Sequence, residues 1–130
     1  MKVTNYFLNF DFGGRARRSH YWANLACWIG ALLVFAVIGM AVAPEPEGGA
    51  SGVLSLLLGV GVVGAMVDNM AMVFRRAHDT GKSGWIWLLL LIPLINLLPF
   101  YWLMIEDSQQ GPNKYGPPVK QFYQAPAATA

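Results

Sequence analysis

The sequence predicts an all-α integral membrane protein with three transmembrane helices and a short N-terminal amphipathic segment. Of its 130 residues, 55% are hydrophobic and only 12% are charged, whereas soluble domains carry about 25% charged residues. The apolar residues form three long runs, at 21–43, 53–74 and 85–105. A chain of this length accommodates one domain, so we expect a single membrane domain at 1–118 and a disordered tail at 119–130.

Each apolar run is long enough to cross a bilayer. As an α-helix, a run of this length measures roughly 30 to 35 Å, which matches a hydrocarbon core of about 30 Å. The first run begins after a polar and aromatic stretch and is longer than the apolar part of a signal peptide. We therefore expect it to remain in the mature protein.

The third run contains Pro93, Asn96 and Pro99, and it allows two topologies. Proline removes a backbone donor and bends a helix, so one possibility is a kinked full span that leaves the C-terminus outside. The other is a re-entrant hairpin that turns near 93–96 and returns the C-terminus to the cytoplasm. Irregular backbone at that depth must be buried in protein or face water, and two partner helices give little cover. The sequence therefore predicts the full span.

The charges between the runs predict the orientation. Cations precede the first run and lie between the second and third, whereas the 44–52 linker contains Glu45 and Glu47 and no cation. By the positive-inside rule, the N-terminus and the 75–84 loop are cytoplasmic and the linker is outside. Four aromatic residues near the N-terminus predict an amphipathic segment on the inner leaflet. They are Tyr6, Phe7, Phe10 and Phe12.

Two glycine-containing motifs resemble nucleotide-binding loops but lie in the wrong context. "TGKS" at 80–83 lacks the upstream glycine of a P-loop, because position 76 is Arg76. "GVGVVG" at 59–64 lies inside an apolar run rather than in a strand-turn-helix unit. Small residues on a membrane helix instead favour close helix packing, so we assign that role to Gly61, Gly64 and Ala65.

The remaining polar residues give weak signals for chemistry. His78 and Asp79 are adjacent, but a catalytic zinc usually needs three protein ligands and the second histidine of the chain is His20. We expect no metal and no cofactor.

Three polar residues lie within the predicted spans: Asp68, Asn69 and Asn96. An ionisable residue in a span usually faces protein or water. Asp68 is therefore either part of a polar pathway or proton-binding site, or the partner of an arginine from another segment, and the second reading is preferred.

Three polar motifs give the chain a family resemblance. "FGGRARRSHYW" (12–22), "RRAHDTGKSGW" (75–85) and "QQGPNKYGPP" (109–118) occur in the order and at about the spacing of DUF805, a bacterial inner-membrane family of unknown function. The chain resembles this family over roughly residues 5–118. The resemblance implies a small multi-pass protein of the bacterial inner membrane and supplies no activity.

The first two motifs fall on the same cytoplasmic face in the predicted topology. We expect the arginines of the first motif to meet Asp79, and Arg75 and Arg76 to meet lipid phosphates or helix C-termini. Residues 75–84 would then form a structured cytoplasmic loop that locks the second and third helices together. The full set of lipid-contact or structural polar residues is Arg15, Arg17, Arg18, Arg75, Arg76, His78, Asp79 and Lys82.

These features favour a structural or interaction component of the membrane over an enzyme. We expect a homo-oligomer that contacts anionic lipid, and the net charge of +2 is too small to indicate nucleic acid. One alternative is an oligomeric channel or transporter lined by Asp68, Asn69 and Asn96. A second is a lipid-headgroup enzyme that uses His78 and Asp79.

Overall fold

The computed structural model describes residues 7–42, 49–120 and 122. Three α-helices and a 3₁₀ helix account for most of this part of the chain. They are α1 (Arg18–Val42), α2 (Gly49–Asp79), the 3₁₀ helix (Gly84–Leu91) and α3 (Leu97–Met104). The predictions for Tyr6, for Glu45 and Glu47 in the linker, and for most of the C-terminal tail lie outside the described residues.

Helices α1 and α2 are long and apolar enough to cross a membrane, over Arg18–Ala41 and Gly52–Asp79. At 1.5 Å per residue, both exceed a hydrocarbon core of about 30 Å. They pack antiparallel, because Asn24 near the start of α1 donates to Asp68 in the second half of α2. The inner end of the molecule, as we call it from here on, is the end at which α1 begins and α2 ends.

The prediction of a third full span is not confirmed. The run at 85–105 forms the 3₁₀ helix, a turn and the short helix α3. After this run, Glu106 pairs with Lys82 at 2.5 Å, and the amide of Gln109 donates to the carbonyl of Asp79 at 2.8 Å. Both ends of the run therefore lie at the inner end, and the C-terminal segment is on the same side as the 75–84 loop.

The turn within the 85–105 run supplies several of its own backbone hydrogen bonds, which the prediction of a full span did not anticipate. The amide of Ile92 donates to Leu89, that of Asn96 to Ile92, and that of Leu97 to Leu94. Pro93 has no amide hydrogen to satisfy, and Pro99 lies in the first turn of α3, where amides have no helical partner. Irregular backbone at this point therefore needs little cover from other helices.

The N-terminal segment packs against the helices without being helical itself between residues 7 and 17. The Phe7 ring lies 5.0 Å from the Trp28 ring, and the Phe12 ring lies 5.4 Å from the Phe74 ring. Phe10 is half exposed. Two of the predicted aromatic anchors therefore contact protein, and contact of this segment with the leaflet stays a prediction.

Helix α2 ends in a glycine cap. The amide of Lys82 donates to the carbonyl of Ala77 at 2.9 Å, and that of Gly81 to His78 at 3.0 Å. This pattern requires a left-handed residue after the helix, and Gly81 has a φ of 75°. The chain then enters the 3₁₀ helix at Gly84, which packs directly on Phe74.

Candidate functional site

The most densely bonded region of the described chain is a charged cluster buried at the inner end. We call it the inner cluster and define it as Arg15, Arg76 and Asp79. One carboxylate oxygen of Asp79 accepts from Arg15 Nε at 3.0 Å, and the other accepts from Arg76 Nη1 at 2.9 Å. The side chains of Arg76 and Asp79 are fully buried, and that of Arg15 is 1% exposed. The predicted meeting of the first motif with Asp79 is confirmed for Arg15.

Carbonyl groups compensate for the second positive charge of the inner cluster. Arg15 donates to the carbonyls of Gln109 at 2.5 Å and Gly111 at 2.8 Å, which tie the third motif to the first. A buried charge is costly unless it is paired and hydrogen-bonded. The inner cluster therefore requires the N-terminal segment, the end of α2 and residues 109–111 to come together.

Arg76 closes the C-terminus of α3. Its Nε donates to the carbonyl of Leu103 at 2.9 Å, and its Nη2 donates to the carbonyl of Glu106. The last carbonyls of a helix have no partner within it and carry partial negative charge, so a guanidinium there is favourable. The expectation that Arg76 meets a helix C-terminus is confirmed, and because Arg76 is fully buried it has no surface for lipid.

The other cations of the motifs lie around the inner cluster. Arg18 donates to the carbonyl of Ile105 at 2.9 Å and approaches Asp107 at 3.4 Å. Lys82 pairs with Glu106 and lies 5.0 Å from the Trp102 ring centroid. Arg17 is half buried.

Arg75 is nearly buried, at 5% exposure, and its guanidinium donates to the carbonyl of Asn9 at 3.3 Å. Its own carbonyl accepts from the amide of Ala16 at 2.9 Å. Arg75 therefore helps to hold the N-terminal segment in place through both its side chain and its backbone.

His78 contacts the first and third motifs. Its Nδ1 lies 3.1 Å from the carbonyl of Gly14, and its ring stacks on Tyr115 with a centroid distance of 3.7 Å. The side chain of Asn113 donates to the carbonyl of His78 at 2.9 Å. Within the described residues, no group of three histidine, cysteine or acidic side chains is placed to hold a metal ion.

Asp68 forms a second polar centre, which three donors from the described part of the chain contact. It accepts from the amide of Asn9 at 2.7 Å, from Asn24 Nδ2 at 2.7 Å and from Trp28 Nε1 at 2.6 Å. An arginine partner was preferred from the sequence, and these three donors were missed because each lies 40 or more residues away in the chain. Asp68 thus attaches the N-terminal segment to both long helices.

The other predicted intramembrane polar residues do not join Asp68 in the bonds described. Asn69 donates to the carbonyl of Ala65 in its own helix at 2.9 Å. Asn96 lies at the start of α3, and its side chain makes no capping bond there. The predicted polar set is therefore divided between α2 and the turn of the hairpin.

The predicted packing residues contribute less to the fold than the sequence indicated. Gly61 and Ala65 line a small apolar cavity of about 40 Å³ between α1 and α2. A Cβ added at Gly61 or Gly64 would meet no described atom within 4 Å, its own helix backbone aside. Close packing at these glycines within the described chain is not observed, and packing between copies stays a prediction.

An open polar pocket of about 250 Å³ lies beside the inner cluster. Its charged and ionisable lining consists of Asp11, Arg15, His20 and Arg75. On the rim of the inner end, a hydrogen bond from Lys120 lowers the pKa of Asp107 to about 2.

Comparison with known proteins agrees with this picture. Residues 9–117 match the family model described as "Protein of unknown function (DUF805)". The chain is 34% identical over 120 residues to inner membrane protein YhaH of Escherichia coli K12, covering 92% of this chain and 94% of the relative. It is 28% identical over 113 residues to inner membrane protein YhaI of the same strain, covering 81% and 82%.

No solved structure matches the chain. Two inner-membrane relatives and two helices long enough to span place this protein in the bacterial inner membrane. The family match runs from Asn9 to Pro117 and covers the three polar motifs except the last residue of the third, and the chain belongs to the DUF805 family.

Proposed function

We propose that this protein is a structural or interaction component of the inner membrane that assembles as an oligomer and contacts anionic lipid at its inner end. One observation carries the proposal. The charged residues of the polar motifs bond to one another and to backbone carbonyls, so they hold three segments of the chain together. Because these charged side chains are bonded within the protein, the motifs support a structural role better than a catalytic one.

Contact with anionic lipid is assigned to the cations that remain at the rim. Arg18 keeps 40% of its side chain exposed, Lys114 is exposed, and Lys120 is a quarter exposed. Each cation near an anionic surface contributes about 1 kcal/mol. Arg75 and Arg76, which the sequence also favoured for this role, are buried and are not assigned to the anionic lipid surface.

Native mass spectrometry of the protein extracted with its lipids tests both parts of the proposal. We expect more than one copy per particle and retained phosphatidylglycerol or cardiolipin. The variant Arg18→Gln, Lys114→Gln, Lys120→Gln should lose most of the retained anionic lipid, whereas the charge-preserving Lys114→Arg, Lys120→Arg should keep it. A monomer with the same lipids in all three proteins would contradict the proposal.

Assembly between copies is assigned to the small-residue surface of α2. Small residues allow close approach of membrane helices, and Gly64 has open space around its Cβ direction within the described chain. Gly64→Leu should therefore lower the oligomer fraction without lowering the melting temperature of the monomer, and Gly64→Ala should change neither. An unchanged oligomer in Gly64→Leu would remove this surface from the interface.

The open pocket supports a second candidate, the binding of a zwitterionic lipid headgroup. Arg75 and Asp11 place a guanidinium and a carboxylate in the same pocket, which matches the phosphate and ammonium groups of phosphatidylethanolamine. The same mass spectra separate the candidates, because a pocket ligand would be retained in the triple glutamine variant and would be phosphatidylethanolamine.

The two remaining alternatives gain less support from the contacts. As a headgroup enzyme, the protein would need Asp79 to reach a ligand, but both of its carboxylate oxygens accept from buried arginines. As a channel, it would need Asp68, Asn69 and Asn96 to line one path, and their bonds lie in different parts of the fold.

A further inference from the structure

We propose that residues 84–104, called the hairpin from here on, form a re-entrant element whose apolar surface is seated among the acyl chains of the cytoplasmic leaflet. The hairpin contains no charged residue, and its single amide side chain is that of Asn96. This assignment is independent of which lipid headgroup the rim cations bind.

The length of the hairpin matches one leaflet. The 3₁₀ helix has 8 residues and therefore rises about 16 Å. Helix α3 also has 8 residues and rises about 12 Å. Half of a hydrocarbon core of about 30 Å is 15 Å, so a hairpin that starts at the inner interface places its turn near the middle of the bilayer.

Both ends of the hairpin are fixed at the inner interface. Arg76 holds the carbonyl of Leu103, and Lys82 pairs with Glu106 and lies over Trp102. At the N-terminal end of the hairpin, which lies at the same interface, Trp85 is 68% exposed. Tryptophan is enriched at membrane interfaces, so the two tryptophans mark the depth at which the hairpin enters the bilayer.

Among the residues that the structure describes, none covers the apolar surface at the turn of the hairpin. Leu91, Leu94 and Leu97 are 65%, 83% and 68% exposed. In water such a contiguous surface would be unfavourable. Acyl chains are the occupant we assign, because the hairpin packs against α1 and α2, the two candidate spans, whose own apolar residues are also exposed.

An uneven distribution of protein between the leaflets follows from this assignment. Helices α1 and α2 occupy both leaflets, whereas the hairpin occupies only the cytoplasmic one. The protein therefore displaces more lipid from the cytoplasmic leaflet than from the outer leaflet, and its cross-section in the membrane is wider on the cytoplasmic side.

Spin labels on single cysteines test the proposal in inside-out membrane vesicles of a Cys27→Ser background. The probes are Leu91→Cys and Leu94→Cys in the hairpin, Leu33→Cys in α1 as a lipid-facing control of similar exposure at 63%, and Ser83→Cys and Gln110→Cys as aqueous controls. Accessibility is measured to oxygen, which dissolves in lipid, and to a water-soluble nickel chelate added outside the vesicles.

We expect the ratio of oxygen to nickel accessibility at Leu94 to equal that at Leu33 and to exceed that at Ser83 and Gln110 several-fold. Nickel access at Leu94 would mean that the hairpin lies in water, and loss of access to both reagents would mean that protein covers it. A Gln110 label that the external chelate does not reach would mean a full span. Any of these three results overturns the proposal.

Discussion

The two ends of the helix pair differ in which side chains they bury. Apolar side chains are exposed at one end and charged side chains are buried at the other, which is the reverse of the usual arrangement in a soluble protein. In the part of α2 between residues 56 and 66, Leu56, Val60 and Met66 are 68%, 65% and 66% exposed. At the inner end of the same helix, Asp68, Arg76 and Asp79 are fully buried. The difference teaches where this fold gets its specificity: the outer parts of the spans contribute little packing within the described chain, and the polar motifs build the core at the inner end.

The largest effect should follow from removing the central carboxylate. Asp79→Asn leaves the buried guanidiniums of Arg15 and Arg76 without a compensating charge. Removing one partner of a buried ion pair costs about 3–5 kcal/mol. We expect a large fall in the melting temperature in detergent and rapid proteolysis of the C-terminal segment.

The matched control for Asp79→Asn is Asp107→Asn, which removes an exposed carboxylate at the same end of the molecule. Exposed pairs contribute roughly 0–1 kcal/mol, so its melting temperature should stay near that of the unmodified protein. Equal losses in the two variants would contradict a buried polar core.

A smaller effect is expected where the hairpin packs on α2. A Cβ at Gly84 would lie 2.1 Å from the Phe74 ring, so Gly84→Ala forces the two segments apart. Overpacking of this kind costs about 1–3 kcal/mol. Gly64→Ala has no such neighbour among the described atoms and should be neutral.

Melting temperatures of the two alanine variants measure this difference. The double variant Gly84→Ala, Phe74→Leu should recover part of the loss, because the smaller side chain makes room for the methyl group. A Gly84→Ala protein as stable as Gly64→Ala would show that the hairpin does not pack on Phe74.

Asp68 should give an effect of intermediate to small size. Asp68→Asn keeps one oxygen acceptor but replaces the other oxygen with an NH2 group. This group is a donor, so it cannot accept from donors such as Asn24 and Trp28. An unsatisfied buried donor costs about 1–3 kcal/mol. We expect a lower melting temperature and faster proteolysis near the N-terminus, whereas Asn69→Ala, which removes a bond within one helix turn, should change little.

The smallest effect concerns pH. The folded pKa of Asp107 lies at about 2, below its ordinary value of 3.8, because Lys120 donates to it. The stabilisation from Asp107 is therefore fully present above pH 3.8 and is lost as the pH falls through about 2. Solvent screens this exposed group, so the difference in melting temperature between the unmodified protein and Asp107→Asn should be small at pH 5 and vanish near pH 2. A difference that grows on acidification would have the wrong sign.

The first two spans and the family could be predicted from the sequence because their signals are local. Runs of apolar residues determine the spans, and three polar motifs at fixed spacing identify the family. The bond between Arg15 and Asp79 also followed, since both residues were placed on the same face of the membrane.

The path of the third run could not be settled from the sequence because its composition suits a span and a hairpin equally well. The outcome depends on bonds between distant residues, such as Arg76 to the carbonyl of Leu103, and on a turn that satisfies its own amides around Pro93. The partners of Asp68 were missed for the same reason, because Asn9 lies 59 residues away in the chain.

The position of the C-terminal segment tests the central claim most directly. If the inner cluster joins all three polar motifs, residues 106–118 must lie on the cytoplasmic side with the 75–84 loop. Gln110→Cys, in a Cys27→Ser background, should react with a membrane-impermeant maleimide only after lysis, whereas Gly48→Cys in the linker between the spans should react in intact cells. Reaction of Gln110→Cys in intact cells would mean a third crossing, with which the bonds of Arg15 and Arg76 to the C-terminal segment are incompatible.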